Sequence, residues 1–275
     1  MSTDLTAPSK GEVPAFLQDE SGDKALSLLA QYAQPPRMKL RQPTARPPLS
    51  DVAPEGSVVL MPSMQIIASR DEEFHIVPIF FYPEWCVLNP LSMSDLPTIR
   101  ERSLDPKSDI AVRSRSAETR KGPMPGFESD FTSQDPKKRK ALTYQENLNF
   151  IFELQDGELA GTQFVATFAK AEHKTGRTLA SNIQMRKKSS GVHPCGLVFA
   201  AQSKQRENND GRWFGLNIYL PTSGVSPYVT SESHFRGLKK CHDELFEAYQ
   251  SKAIGDFIKP EEDVDTAPSA ESSDF

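Results

Sequence analysis

Short segments that alternate apolar and polar residues, between positions 147 and 220, constrain the fold more than any other feature of this sequence. Side chains of a strand point alternately to opposite faces of a sheet, so a period of two predicts a strand with one buried face. Strands of this kind are predicted at four segments, residues 147–154, 163–170, 179–186 and 196–204. Turns at Asp156-Gly157 and Thr175-Gly176 separate the first three segments. Several strands at such short spacing predict a mainly β fold, either a barrel or a sandwich.

A fifth predicted strand, residues 212–220, has two faces of different chemistry. The preceding sequence Asn-Asn-Asp-Gly at 208–211 predicts a hairpin turn into this strand. One face is apolar and is expected to join the core: Phe214, Leu216, Ile218 and Leu220. The other face carries two flat rings, a small residue and an amide: Trp213, Gly215, Asn217 and Tyr219. Such a face can stack unpaired bases, although aromatic residues on strands also commonly pack under a loop.

Other elements of the predicted domain are read from proline positions and from helical spacing. Strands are predicted at 57–61 and 64–68. The apolar run at 74–88 contains Pro78 and Pro83, which predicts an edge strand or a bulged strand, because proline cannot donate to a ladder. Near the C-terminus, apolar residues at helical spacing predict a helix that begins at Thr230 or Ser231 and ends at Gly255.

The chain divides into three predicted parts. Residues 1–54 contain a short amphipathic helix from Ser21 and then a Pro-rich mobile arm at 35–54. Residues 55–255 form the main domain, and 256–275 form a disordered acidic tail of Pro, Glu, Asp, Ser and Ala. A basic insertion at 97–140 has no sustained period, and it ends in four consecutive cations that favour either a solvated face or a phosphate-binding flap.

Charge is unevenly distributed along this polypeptide. The 275 residues have a formal net charge of -5, yet residues 100–190 carry 17 Lys and Arg against 12 Asp and Glu. The last 20 residues carry one Lys against seven Asp and Glu, so a mildly basic body precedes an acidic tail. No apolar run is long enough for a membrane helix, and no secretory signal is recognised. Three cysteines, Cys86, Cys195 and Cys241, provide no disulfide framework and favour a reducing cytoplasm.

The basic body and the tail ending Glu271-Ser272-Ser273-Asp274-Phe275 together resemble the single-stranded DNA-binding proteins of tailed phages and, more distantly, of bacteria. That resemblance implies an oligonucleotide-binding (OB) fold, an OB-like Greek-key barrel with a C-terminal α-helix. It also implies sequence-independent binding of single-stranded DNA during DNA replication and recombination, in the cytoplasm of a host cell. Replication proteins such as a polymerase, helicase or primase would bind the tail through Asp274 and Phe275. A second copy of the chain is a further expected partner, in a homodimer. No cofactor, metal or catalysis is expected.

Basic, aromatic and amide side chains in the body are predicted to form the binding groove, in which charge holds phosphates and rings stack bases. The predicted nucleic-acid-binding residues are Trp213, Tyr219, Arg212, Asn217, Arg177, Arg186, Lys187, Lys188, Lys204, Arg206, Lys137, Lys138, Arg139 and Lys140.

Two other chemistries and one other function remain open. Asp156 followed by Glu172-His173-Lys174 matches a loose pattern of metal-dependent nucleases, in which two carboxylates hold Mg²⁺. His193-x-Cys195 and Cys241-His242 offer four soft ligands, but neither has the spacing of a zinc knuckle. The main alternative function is a virion-associated or protein-interaction component whose basic residues are merely solvated.

Overall fold

The structure is a computed structural model that describes residues 35–90, 93, 96–131, 140–208, 211–222 and 224–254. All of these residues belong to one unit that begins at Pro35. The predicted helix from Ser21 and the predicted tail lie outside the described residues, as do Lys137, Lys138 and Arg139. No helix of the described part is long and apolar enough to cross a membrane.

Ten strands form one large mixed sheet. They are β1 (Arg37–Leu40), β2 (Val58–Met61), β3 (Gln65–Ala68), β4 (Glu73–Leu88), β5 (Ile99–Ser103), β6 (Lys121–Pro123), β7 (Ala141–Leu154), β8 (Gln163–Phe168), β9 (Phe199–Asn208) and β10 (Gly211–Tyr219). Their order is β10-β9-β4-β7-β8-β1-β2-β3, with β5 added to β4 and β6 added to β7. Only the β1–β8 pair is parallel among these pairings. The mainly β prediction is therefore confirmed, but the described strands do not pair into a closed barrel.

Among the described residues, five α-helices accompany the sheet. They are α1 (Leu49–Val52), α2 (Asp109–Ser114), α3 (Glu128–Phe131), α4 (His173–Ser190) and α5 (Glu232–Gln250). Helix α5 starts where the sequence predicts, because the Ser231 hydroxyl accepts a hydrogen bond from the His234 backbone N–H. Two single 3₁₀ turns, Lys170–Glu172 and Pro194–Gly196, precede α4 and β9.

The two long helices pack on separate hydrophobic cores. Helix α4 packs through Leu179 on a phenylalanine-rich core to which most strands of the sheet contribute. Helix α5 packs through Leu238 and Leu245 on a second core, which includes Val77 and Ile151 of β4 and β7. Both β4 and β7 contribute alternate residues to the two cores, as the period of two predicts.

Strand β4 shows how the sheet accommodates two prolines. It pairs with β7 from Ile76 to Leu88, with an irregularity in register between Pro78 and Phe80. On its other side it pairs with β9 at 73–76 and with β5 at 85–88. Pro78 and Pro83 lie between these two pairings, where the ladder on that side needs no N–H donor. The alternative of a bulged strand is confirmed, whereas β4 is not an edge strand of the sheet.

Residues 96–131, most of the basic insertion, are structured rather than irregular. They supply β5, β6, α2 and α3, which pack on the extended ends of β4 and β7. Trp85, only 3% exposed, lies in this third core together with Ile110, Met124 and Leu142. Trp85 is thus a core residue.

Three local predictions are wrong. The Pro-rich segment is not a free linker at 37–52, because β1 pairs with both β2 and β8 and α1 buries Leu49. The segment 179–186 is helical rather than extended, and Thr175-Gly176 lies inside α4 rather than in a turn. Gly176 is buried in α4, where an added Cβ would lie 2.8 Å from the Phe168 Cβ, so glycine permits close packing here.

Candidate nucleic-acid interface

The β9–β10 hairpin brings several predicted binding residues onto one face of the sheet. Trp213 pairs with Arg206, Gly215 with Lys204, and Asn217 with Gln202. Phe214 and Leu216 point to the opposite side and are 1% exposed, so the predicted division of β10 into two faces is confirmed. The Trp213 and Tyr219 side chains are half-buried, and the Trp213 indole N–H is buried without a hydrogen-bond partner among the described residues.

Most of the basic side chains on this hairpin form ion pairs with carboxylates. The Lys204 Nζ lies 3.0 Å from the Asp71 Oδ1, and the Arg212 Nη2 lies 3.5 Å from the Glu55 Oε2. The hydrogen bond from Lys204 keeps the pKa of the exposed Asp71 carboxyl below its usual value. These acids compete with phosphate for the same cations, so the hairpin alone is not a strongly basic groove.

Tyr219 is also engaged by an acid. Its hydroxyl donates to the Glu73 Oε2 at 2.5 Å, and this hydrogen bond is the main reason why the pKa of Tyr219 rises to about 12. The ring is therefore held in place and stays uncharged at neutral pH, although it is only partly accessible for stacking.

Arg206 performs a structural role that sequence reasoning missed. Its side chain crosses β10 at Gly215, where an added Cβ would lie 2.5 Å from the guanidinium. At the outer edge of β10 it donates to the Leu216 carbonyl at 3.0 Å and to the Glu172 Oε1 at 2.8 Å. The Glu172 Oε2 in turn accepts from the Leu216 N–H at 3.0 Å. This arrangement satisfies the backbone of an end strand and ties the start of α4 to β10.

Gln42 completes the protection of this edge. Its amide donates to the Phe214 carbonyl and accepts from the Phe214 N–H, both at 2.9 Å, as a neighbouring strand would. The Phe214 backbone at the outer edge of β10 is therefore paired by a side chain rather than by a strand.

Helix α4 presents what we call the α4 cationic surface: Lys174, Arg177, Arg186, Lys187 and Lys188. Four of these side chains are exposed and Arg186 is half-buried. The 18-residue helix contains no Asp or Glu, and none of the five cations forms an ion pair with a described residue. Four of the five belong to the predicted binding set, but they lie on a helix and not on the predicted strand.

Helical spacing in this segment explains why α4 forms. Gly176, Leu179, Ala180 and Ile183 recur at i, i+3, i+4 and i+7 and face the core, while the opposite face carries the exposed Lys174, Arg177 and Lys188. Lys187 and Lys188 stand in the last turn, where cations favour the negative end of the helix dipole. Gly191 ends the helix in the left-handed conformation at φ 70°. These signals could have identified the helix from sequence.

The last basic segment is described only at Lys140. Its Nζ lies 3.5 Å from the Asp130 Oδ2 and 3.7 Å from the centre of the Phe127 ring. Lys140 is thus held by Asp130 of α3 and by Phe127, and its three basic neighbours lie outside the described residues.

No family model, curated protein or solved structure matches this chain.

Carboxylates of the loose nuclease pattern have structural partners. The Asp156 Oδ2 lies 2.7 Å from the His75 Nδ1, and Glu172 is occupied at the β10 edge. Among the described residues, no group of three or more His, Cys, Asp or Glu side chains could hold a metal ion.

The soft ligands meet only in part. The His193 and His242 rings are in edge contact, with centroids 4.9 Å apart. Burial raises the pKa of the Cys195 thiol to about 12 and also raises that of Cys241. The His193 Nδ1 accepts from the Cys195 N–H at 3.3 Å, so this nitrogen caps a 3₁₀ turn. Protonated thiols and a capping imidazole are typical of structural side chains.

Proposed function

We propose that this protein binds single-stranded DNA without sequence preference and holds its phosphates on the α4 cationic surface. The supporting observation is that α4 carries five Lys and Arg, no acid and no ion pair to a described residue. Cations that lack carboxylate partners can exchange their counterions for phosphates without first breaking an ion pair.

The magnitude follows from the number of cations. If all five contact phosphates, log K should fall with log salt with a slope of about -3.5, at roughly 0.7 per contact on a single strand. The hairpin cations Lys204, Arg206 and Arg212 contribute less in this proposal, because each already has a carboxylate partner.

Base contacts are the second part of the proposal. Trp213 and Tyr219 keep part of each ring accessible on the outer face of β10, and a ring on a sheet can stack bases of any sequence. In this proposal the curved sheet is an OB-like scaffold in which Gln42, Glu172 and Arg206 bridge the gap that strand pairing leaves open.

Recruitment of replication proteins by Asp274 and Phe275 belongs to the same proposal. It is supported by the acidic sequence that precedes the terminal Phe.

A matched pair of triple variants tests the phosphate contacts. Lys174→Ala/Arg177→Ala/Lys188→Ala removes three cations of α4. The control Arg236→Ala/Lys239→Ala/Lys240→Ala removes three cations of α5, each of which forms an ion pair four residues along the helix. In fluorescence anisotropy with labelled oligo-dT at low salt, we expect the α4 variant to lose most of the affinity and the control to bind like the parent.

Equal affinity of both variants would refute phosphate binding by α4. No binding by the parent protein, even in dilute buffer, would refute the function and leave the interaction component as the better interpretation.

A further inference from the structure

The α4 cationic surface has an uncharged centre. Its cations lie in two groups, Lys174 with Arg177 near the first turn and 186–188 in the last two turns. Ten residues separate Arg177 from Lys187, which corresponds to about 15 Å at a rise of 1.5 Å per residue. Between the groups, the outward side chains are Thr178, Ser181, Gln184 and Met185.

Met185 is the exception among these central residues. Its side chain is 60% exposed, the largest fraction among the exposed large hydrophobic residues of the described chain. It does not belong to the hydrophobic core beneath α4, to which Leu179 and Ile183 contribute. An exposed thioether with no packing role is therefore placed between two groups of cations.

The chemistry of this side chain suits an aromatic ligand. The sulfur of methionine is polarisable and makes favourable contacts with ring edges, and its unbranched chain adapts to rings of different shape. A base that projects from a strand whose phosphates lie on both groups of cations would reach the centre of α4. Contacts of this kind do not depend on the hydrogen-bonding edge of the base, so they are compatible with binding of any sequence.

We infer that Met185, one residue before the second group of cations, contacts a base on the exposed face of α4, while the two groups of cations hold phosphates on either side of it. This inference rests on the proposed function and adds a base-contacting residue and a two-point arrangement of phosphates. Because Met185 is uncharged, its contribution to affinity does not release counterions and is independent of salt.

The test compares Met185→Ala with Val112→Ala in anisotropy titrations of oligo-dT over a series of salt concentrations. Val112 is 55% exposed on α2, so it is a matched apolar control. We expect Met185→Ala to weaken binding by about two- to tenfold, the range that sulfur–aromatic contacts provide. The slope of log K against log salt should equal that of the parent, and Val112→Ala should have no effect.

Two results would overturn the inference while leaving the proposed function intact. One is a parent protein that binds oligo-dT and a Met185→Ala variant that binds equally well. The other is a loss of affinity in Met185→Ala accompanied by a lower salt slope, since that would indicate displaced cations rather than a lost base contact. A series of oligo-dT lengths adds an independent check: a strand too short to reach both groups of cations should bind with the smaller salt slope of one group. An undiminished slope for the shortest strands would contradict the two-point arrangement.

Discussion

Replacing Glu172 by alanine should destabilise the protein at the edge of β10. The Glu172 carboxylate accepts from the Leu216 N–H and pairs with Arg206, whose side chain is 29% exposed while that of Glu172 is 19% exposed. An orphaned buried N–H costs about 1–3 kcal/mol. A partly exposed ion pair adds about 1 kcal/mol or less. We therefore expect Glu172→Ala to lower the free energy of unfolding by about 3 kcal/mol.

Glu172→Gln is the matched variant, because its amide oxygen can still accept from Leu216 while the charge is lost. It should cost about 1 kcal/mol, the contribution of the ion pair. Glu244→Ala, which breaks an exposed pair with Lys240 on α5, should change stability by less than about 0.5 kcal/mol.

Urea denaturation of the three variants measures these differences, and hydrogen exchange of the Leu216 amide locates them. If Glu172 protects the edge of β10, the Leu216 amide hydrogen should exchange faster in Glu172→Ala than in Glu172→Gln. If both Glu172 variants were as stable as Glu244→Ala and exchanged Leu216 at the parent rate, the assigned role of Glu172 would be wrong.

Three further predictions concern other parts of the molecule. Burial, more than the nearby His242 and Lys239, lowers the pKa of His193 below its usual value of 6.5. The unfolded chain therefore binds more protons, and the stability that neutral His193 contributes is lost as the pH falls from 6.5 through the pKa of the folded state. Melting curves at several pH values should show a smaller acid loss for His193→Asn, whose oxygen can still cap Cys195; an identical loss would exclude His193 as the source. Gly176→Ala should destabilise by about 1–3 kcal/mol through contact with Phe168, whereas Gly237→Ala, with open space in α5, should stabilise by up to about 1 kcal/mol. Equal effects of the two glycine substitutions in urea denaturation would refute close packing under α4. Trp213→Ala should weaken oligo-dT binding, by roughly 1 kcal/mol at least, if the ring stacks a base; unchanged affinity in a folded variant would remove Trp213 from the site.

Sequence patterns predicted the hairpin and its neighbours well, because one face of each strand is buried and the other is not. The alternation in β7 and β10 and the turn residues at 208–211 are local signals of this kind. The order of the strands in the sheet cannot be predicted from such local signals. Strand β4 pairs with β7 and β9 across long loops, and no local pattern encodes such partners.

Helix α4 was mistaken for a strand for a specific reason. Leu179, Ile183 and Met185 include residues two apart, which fits a strand, but the buried set with Gly176 and Ala180 fits only a helix. A strand period at 179–186 places the cations of α4 on a sheet surface beside Trp213, whereas the helical period places them on α4.

The outer face of the hairpin, which the sequence predicts to bind nucleic acid, shows a second limit of sequence reasoning. Arg206 and Lys204 were correctly placed near Trp213, but their partners Glu172 and Asp71 come from distant segments. A count of charges along one strand cannot reveal carboxylates that the fold brings to it.

The salt dependence of oligo-dT binding tests the central claim most directly. Anisotropy titrations over a range of salt concentrations should give the parent protein a slope of about -3.5 for log K against log salt. Lys174→Ala/Arg177→Ala/Lys188→Ala should reduce the magnitude of that slope by about 2, at roughly 0.7 per lost contact. The same slope for the parent and for this variant would contradict the assignment of phosphate binding to α4.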